Sequence, residues 1–143
     1  MLMPGPGFHL GPPLSEGQRA DVVLGCRIAK EIARLEIGQS VVLRNGTVLA
    51  VEAFEGTDRC LARGGELAGP EGGAVAVKLA RPDHDLRFDL PCIGLRTLEV
   101  CAGAKIAVLA FEADTTLLLE QEEVTRFAHQ HRLALTSFVA AAV

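Results

Sequence analysis

The chain contains no tryptophan and no tyrosine, and only six phenylalanines supply its aromatic content. Single-strand nucleic-acid binders stack bases on aromatic platforms beside a basic groove. Here the platforms are missing, no basic stripe appears, and the net charge is -4. A nucleic-acid surface is therefore excluded from the expectations. Cysteine is sparse too: Cys26, Cys60, Cys92 and Cys101 stand far apart with no C-x-x-C pair. That spacing disfavours a zinc site or a disulfide framework and predicts free thiols in a reducing compartment. No apolar run reaches membrane-spanning length. The opening Met1-Leu2-Met3-Pro4-Gly5-Pro6-Gly7 lacks the basic end and long apolar core of a signal peptide. These absences lead us to expect a soluble cytoplasmic protein.

What is present is ordinary for a globule. Apolar residues make up 49% and charged residues 22% of 143 positions, enough for one domain with a real core. The first dozen residues are rich in Pro and Gly and read as an extended arm outside the core. Ser15 and Glu16 open a long helix, with serine as cap and an acid in the first turn. Val22, Cys26, Ala29 and Ala33 recur at helical spacing, and Ile28, Ile32 and Leu35 widen that stripe before Gly38.

Val41 to Arg44 and Thr47 to Val51 flank Asn45-Gly46, the dipeptide that tolerates the positive φ angles of a tight hairpin turn. A helix is predicted over Thr57–Leu67 and a buried strand over Ala74–Leu79. Further expectations are a short strand near Arg87–Asp89, a helix over Arg96–Ala102, strands over Ile106–Ala110 and Thr116–Leu119, a helix over Glu122–His131 and a last strand over Leu133–Phe138. Strands and helices alternate in the second half. The fold class is thus α/β (α+β), a single domain with a mixed sheet, a β-hairpin and helices packed on it.

Two segments carry acids at strand ends. Glu52, Glu55, Gly56, Thr57 and Asp58 run from a strand into a helix start. Unpaired N–H groups and partial positive charge at such a start suit a phosphate oxygen, and Gly56 lets a ligand approach the backbone. Simple capping by Thr57 or Asp58, with Glu55 solvated, stands as the alternative. The second segment is Asp83-His84-Asp85-Leu86-Arg87-Phe88-Asp89 before Leu90-Pro91. Alternation puts Asp85, Arg87 and Asp89 on one side. Two carboxylates flanking an arginine can hold a hard cation and a phosphate together, or form an ion-pair row on an edge strand.

Asp83 and His84 are adjacent, a poor arrangement for one transition metal, and the histidine reads as solvated. Lys78 closes an apolar strand as a phosphate contact or a snorkelling end residue. Arg96 and Thr97 follow Gly94 in a second helix start, where capping competes with ligand contact. His129 and His131 read as surface.

The stretches Ala29 to Ser40 and Val48 to Asp58 resemble the C-terminal domain of LpxI-type UDP-2,3-diacylglucosamine pyrophosphatases. Lys78, Asp85-Leu86-Arg87-Phe88-Asp89-Leu90-Pro91, Gly94, Thr97 and Leu117 to Leu119 continue the resemblance in order, so that it covers the chain from about Leu14 onward. It implies hydrolysis of UDP-2,3-diacylglucosamine to 2,3-diacylglucosamine 1-phosphate and UMP in lipid A synthesis, with a divalent cation (Mg2+ or Mn2+). The implied enzyme is cytoplasmic and peripheral to the inner membrane. Asp89, in the Asp-Leu-Pro motif, matches the family's catalytic carboxylate, as a metal ligand or the group that activates water. Asp85 and Glu52 are the implied further metal ligands. Glu55, Gly56, Thr57, Asp58, Lys78, Arg87 and Thr97 are the implied substrate contacts. Family enzymes carry a Rossmann-like domain ahead of this one. Residues 1–14 are then expected to be a linker remnant, 15–143 the catalytic domain, and the partner half or a homodimer to cover the surface left open.

Overall fold

A computed structural model describes residues 1–80 and 91–142. Among them the elements run β1 (His9–Leu10), α1 (Glu16–Arg34), β2 (Ser40–Arg44), β3 (Thr47–Val51), α2 (Thr57–Leu67), β4 (Ala74–Lys78), β5 (Cys92–Ile93), α3 (Leu95–Gly103), β6 (Ile106–Glu112), β7 (Leu117–Leu118), α4 (Gln121–Gln130), β8 (Ala134–Phe138) and a closing 3-10 turn, Ala140–Ala142. The main sheet has the order β1-β8-β6-β4-β2-β3. Strands β4, β6 and β8 are parallel, while β1 and the β2–β3 hairpin join antiparallel at either side. This is a single α/β domain with a mixed sheet and helices packed on it.

Alternation along the strands builds two cores. Val42, Ala76, Leu109 and Leu135 face Cys60 and Leu61 of α2, Leu98 and Cys101 of α3, and Val124 and Ala128 of α4. Val41, Leu43, Val75, Val77, Val108 and Ala110 face Val22, Cys26, Ala29 and Ile32 of α1. Strands buried on both faces read as continuous apolar runs, which is why Ala74 to Val77 shows no polar alternation. The sheet register slips where Ala74 pairs with Ile106 but Val75 pairs with Val108. The extra residue, Ala107, is a bulge that changes which face the following side chains meet.

Helix α1 begins as expected. Ser15 accepts from the Gln18 N–H, and the Gln18 side chain returns a bond to the Ser15 N–H, a capping box. It ends at Arg34, one turn before Gly38. Leu35 does not extend the buried stripe but stands 56% exposed. The hairpin turn has Asn45 at φ 51° and Gly46 at φ 78°, both left-handed as a type I′ turn requires. Its N–H groups donate to Asp21 of α1, at 2.9 Å from Asn45 and 2.8 Å from Gly46. That buried carboxylate ties the hairpin to the helix.

The arm departs from expectation. His9–Leu10 adds an edge strand to β8, and Leu2, Phe8 and Leu10 pack on the helical-side core. Phe8 meets Phe111 edge-on, with ring centroids 5.9 Å apart, so burial of an aromatic outweighs the freedom of a Pro/Gly-rich segment. The strand expected over Thr116–Leu119 is shortened to Leu117–Leu118 and pairs with β5 in a separate two-stranded sheet. The expected strand near Arg87–Asp89 lies outside the described residues.

Candidate functional site

The topology gathers several strand ends at one edge. Ser40 opens β2 opposite Lys78, which closes β4. Val51 closes β3 opposite Val41, and Glu112 closes β6 opposite Phe138 at the end of β8. Helices α2, α3 and α4 each start from this side, after β3, β5 and β7. In α/β sheets the carboxyl ends of parallel strands are where ligands bind, because loops and helix N-termini converge there.

Among the described residues Glu52 is the most buried acid of this edge, 9% exposed. Its Oε1 accepts from the Thr57 hydroxyl at 3.2 Å and from the Gln39 N–H at 3.4 Å. Thr57 Oγ1 also lies 3.3 Å from Ser40 Oγ. Since the one hydroxyl proton of Thr57 goes to the carboxylate, Ser40 donates to Thr57, and the three side chains form a directed chain. Gly38 sits directly behind it: a Cβ there would lie 2.1 Å from the Glu52 carbonyl oxygen. Beneath, the Cys60 Sγ lies 3.9 Å from the Ser40 carbonyl. Burial pushes that thiol up to about 12, so it stays protonated and is no nucleophile.

Gly56 precedes α2 at φ 90°, and among the described residues no side chain caps the helix. Among those residues a Cβ at Gly56 would meet nothing within 4 Å, which leaves the backbone there open to close approach. The capping alternative for Thr57 and Asp58 is thus not the arrangement found. Asp58 instead pairs with Arg96 Nε at 3.4 Å, which links the starts of α2 and α3. Thr97 is half-buried in the first turn of α3, and its N–H donates to the Gly94 carbonyl. Lys78 is half-buried at its strand end.

Glu55 is held by a side chain of α2. Both of its oxygens pair with Arg63, with Nε at 3.1 Å from Oε2, and the same guanidinium donates to the Val51 carbonyl at 3.0 Å. The arginine holds the Glu55 carboxyl below the usual carboxylate range and is itself raised in return.

Asp83, His84, Asp85, Arg87 and Asp89 lie outside the described residues. The residues on either side are described and pinned. Leu79 N–H donates to the Gln39 carbonyl at 2.9 Å, Ala80 N–H to Glu112 Oε1 at 3.1 Å, and Leu117 N–H to the Pro91 carbonyl at 2.9 Å. Among the described residues no group of three or more His, Cys, Asp or Glu side chains could hold a metal ion. Those residues alone do not fit a divalent-cation site, with the Glu52 Oε1 already taken by two donors.

The family description of the LpxI C-terminal domain matches residues 6–136. The chain belongs to that family. The UDP-2,3-diacylglucosamine pyrophosphatase LpxI of Caulobacter vibrioides is 40% identical over 111 residues, which is 73% of this chain and 40% of that relative. This LpxI C-terminal domain therefore spans well under half the length of the relative.

Within it, sequence reasoning missed Glu112, Ser40 and Arg63. Glu112 carried the signal that revealed Glu52, an acid directly after an apolar strand. Ser40 and Arg63 carried none, because their roles come from neighbours distant in sequence. A groove of about 580 Å³ lies at the opposite ends of α2 and α3, between Gly65, Pro70, Val100 and Lys105. It is remote from the strand-end acids. No helix of the described residues is long and apolar enough to cross a membrane.

Proposed function

We propose that this domain carries the reacting carboxylate of a UDP-2,3-diacylglucosamine pyrophosphatase, releasing UMP and 2,3-diacylglucosamine 1-phosphate in lipid A synthesis. The observation that carries the reading is the convergence at one sheet edge. The Glu52–Asp58 turn, the uncapped start of α2 and Lys78 stand there, beside the anchored residues that flank the Asp85–Asp89 segment. In the reaction, water adds to one phosphorus of the diphosphate and the bridging P–O bond breaks. The water proton leaves to a base, and charge builds on the departing phosphate oxygen.

Asp89 receives that proton or holds the cation, and Lys78, Arg87 and the α2 N–H groups take up the charge on the phosphates. The cation, Mg2+ or Mn2+, belongs to the proposal through Asp85 and Asp89. A bound divalent ion would supply charge neutralisation and a lowered pKa for water. Exposed Phe54, two positions after Glu52, and exposed Leu35 and Ile37, just ahead of the Gln39 that bonds Glu52, support an acylated ligand met at the inner-membrane surface on the cytoplasmic side. The share of the relative's length covered supports a site completed by a further domain or a second copy of the chain.

The test is UMP release from UDP-2,3-diacylglucosamine by the chain alone and with the remainder of the protein supplied, each with Mg2+ and with chelator. Asp89→Ala should abolish release and leave the melting temperature unchanged. Unaltered turnover by that variant would sink the assignment of Asp89. No release in any arm, together with a magnesium-dependent thermal shift by UMP, would make the domain a nucleotide-binding module instead.

A further inference from the structure

The turn from β3 to α2 presents Glu52, Gly56 and Thr57 to the site, yet it has little packing of its own. Ala53 is exposed and Phe54 at its tip is wholly exposed. Gly56 has φ 90°, and among the described residues nothing lies within 4 Å of its Cβ position, so backbone sterics from them hold it only weakly. What does hold the turn is polar. One guanidinium from the second turn of α2, Arg63, reaches back over it and bonds both Glu55 oxygens and the Val51 carbonyl. Isolated surface ion pairs contribute little, but a two-pronged arginine–carboxylate fork with an added backbone bond fixes geometry as well as charge. The Glu55 side chain is only 26% exposed and Arg63 43%, which leaves the pair partly shielded.

We propose that Arg63 is the positioning residue of this site, and that Glu55 serves the site through Arg63 instead of touching the ligand. Three bonds from one planar group tie the end of β3, the middle of the turn and the body of α2 into one unit. The Glu52–Thr57 bond lies inside that unit, so the acid and the helix start keep a single relative placement before ligand arrives. Lysine cannot replace the fork, since its ammonium is a point charge without two parallel donors. The inference rests on the proposed hydrolysis for its activity readout alone.

The experiment is a double-mutant cycle of Arg63→Ala and Glu55→Gln, with Arg63→Lys as the conservative variant, read in two ways. In the assembled enzyme, each single variant should lower kcat/KM by about tenfold to a hundredfold, mainly through KM, as displaced site groups do. Glu55→Gln should cost nothing further once Arg63 is alanine, and Arg63→Lys should not rescue. In the chain alone, amide hydrogen exchange at the bonded N–H groups that bracket the turn, Glu52 to the Ser40 carbonyl and Cys60 to the Gly56 carbonyl, should speed up equally in both singles and in the double, while exchange in β4 and β6 stays slow. A further loss from Glu55→Gln in the Arg63→Ala background would mean direct ligand contact and overturn the proposal. Unchanged exchange over the turn in Arg63→Ala would overturn it as well. If the wild type releases no UMP, the functional reading falls, and the exchange cycle alone upholds or rejects the clamp.

Discussion

Alanine in place of Gly64 should destabilise the domain, although the same substitution at Gly103 should not. Both glycines lie in helices, and in an exposed helix interior Gly→Ala gains about 1 kcal/mol. Gly64, however, faces β2. A Cβ there would lie 2.4, 2.5 and 2.7 Å from Cβ, Cγ1 and Cγ2 of Val42, a fully buried residue of β2. Valine is stiff at χ1, so the methyls cannot swing away, and its Cβ cannot move without its strand. Sideways movement of α2 is restricted too, because the adjacent Gly65 packs so closely on Ala104 that even a Cβ there would clash with its carbonyl oxygen. The helix must retreat by about 1 Å, and a gap of that size forfeits up to about half of the dispersion attraction across the interface.

Overpacking against a stiff branched side chain falls in the upper part of the range of about 1–3 kcal/mol. After the helical gain of about 1 kcal/mol, the net expected loss for Gly64→Ala is about 1–2 kcal/mol, or roughly 3–8 °C in melting temperature for a chain of this size. Gly103, exposed at the end of α3, has nothing within 4 Å of its Cβ position, so Gly103→Ala should leave the melting temperature unchanged or raise it. Thermal unfolding followed by far-UV circular dichroism decides the matter. If Gly64→Ala melted at or above the wild type, the close approach of α2 to β2 would be refuted.

Three further outcomes follow from particular residues. Asp21→Ala should cost about 1–3 kcal/mol in urea unfolding, since the turn loses the acceptor for two N–H groups; a midpoint equal to wild type would show that the latch does not stabilise the hairpin. In the native protein a thiol reagent should modify Cys92 rapidly and the other three cysteines only on unfolding. Cys26, Cys60 and Cys101 are buried, and burial raises the last two to about 12; fast labelling of two or more thiols would contradict this. For the Glu55–Arg63 pair, the depressed carboxyl stabilises the fold above its ordinary titration range and loses that effect as pH falls through its lowered folded value. The melting-temperature difference between wild type and Glu55→Gln should therefore shrink in acid, and a difference independent of pH would reject the link.

Much of the architecture was legible from local chemistry. The Ser15 cap, the Asn45-Gly46 turn, the buried stripe Val22-Cys26-Ala29-Ala33 and the extent of α2 depend on residues within a few positions of each other. Short-range sterics and periodicity suffice for such elements. The strand-end position of Glu52 was legible for the same reason, as an acid following an apolar run.

Tertiary structure decided what crosses long stretches of chain. The Pro/Gly-rich arm became an edge strand because Phe8 found Phe111, more than a hundred positions away in sequence. Asp21 became a buried latch because the hairpin turn folded over it, and Leu35 stayed exposed because α1 ended before it could face the core. Glu55 carried no sign in the sequence that Arg63, eight positions on, would take both of its oxygens. A side chain's type and periodicity state what it can bond to and which face it takes. Its partner is set by where the β3–α2 turn and the sheet order bring distant atoms, which a linear pattern does not encode.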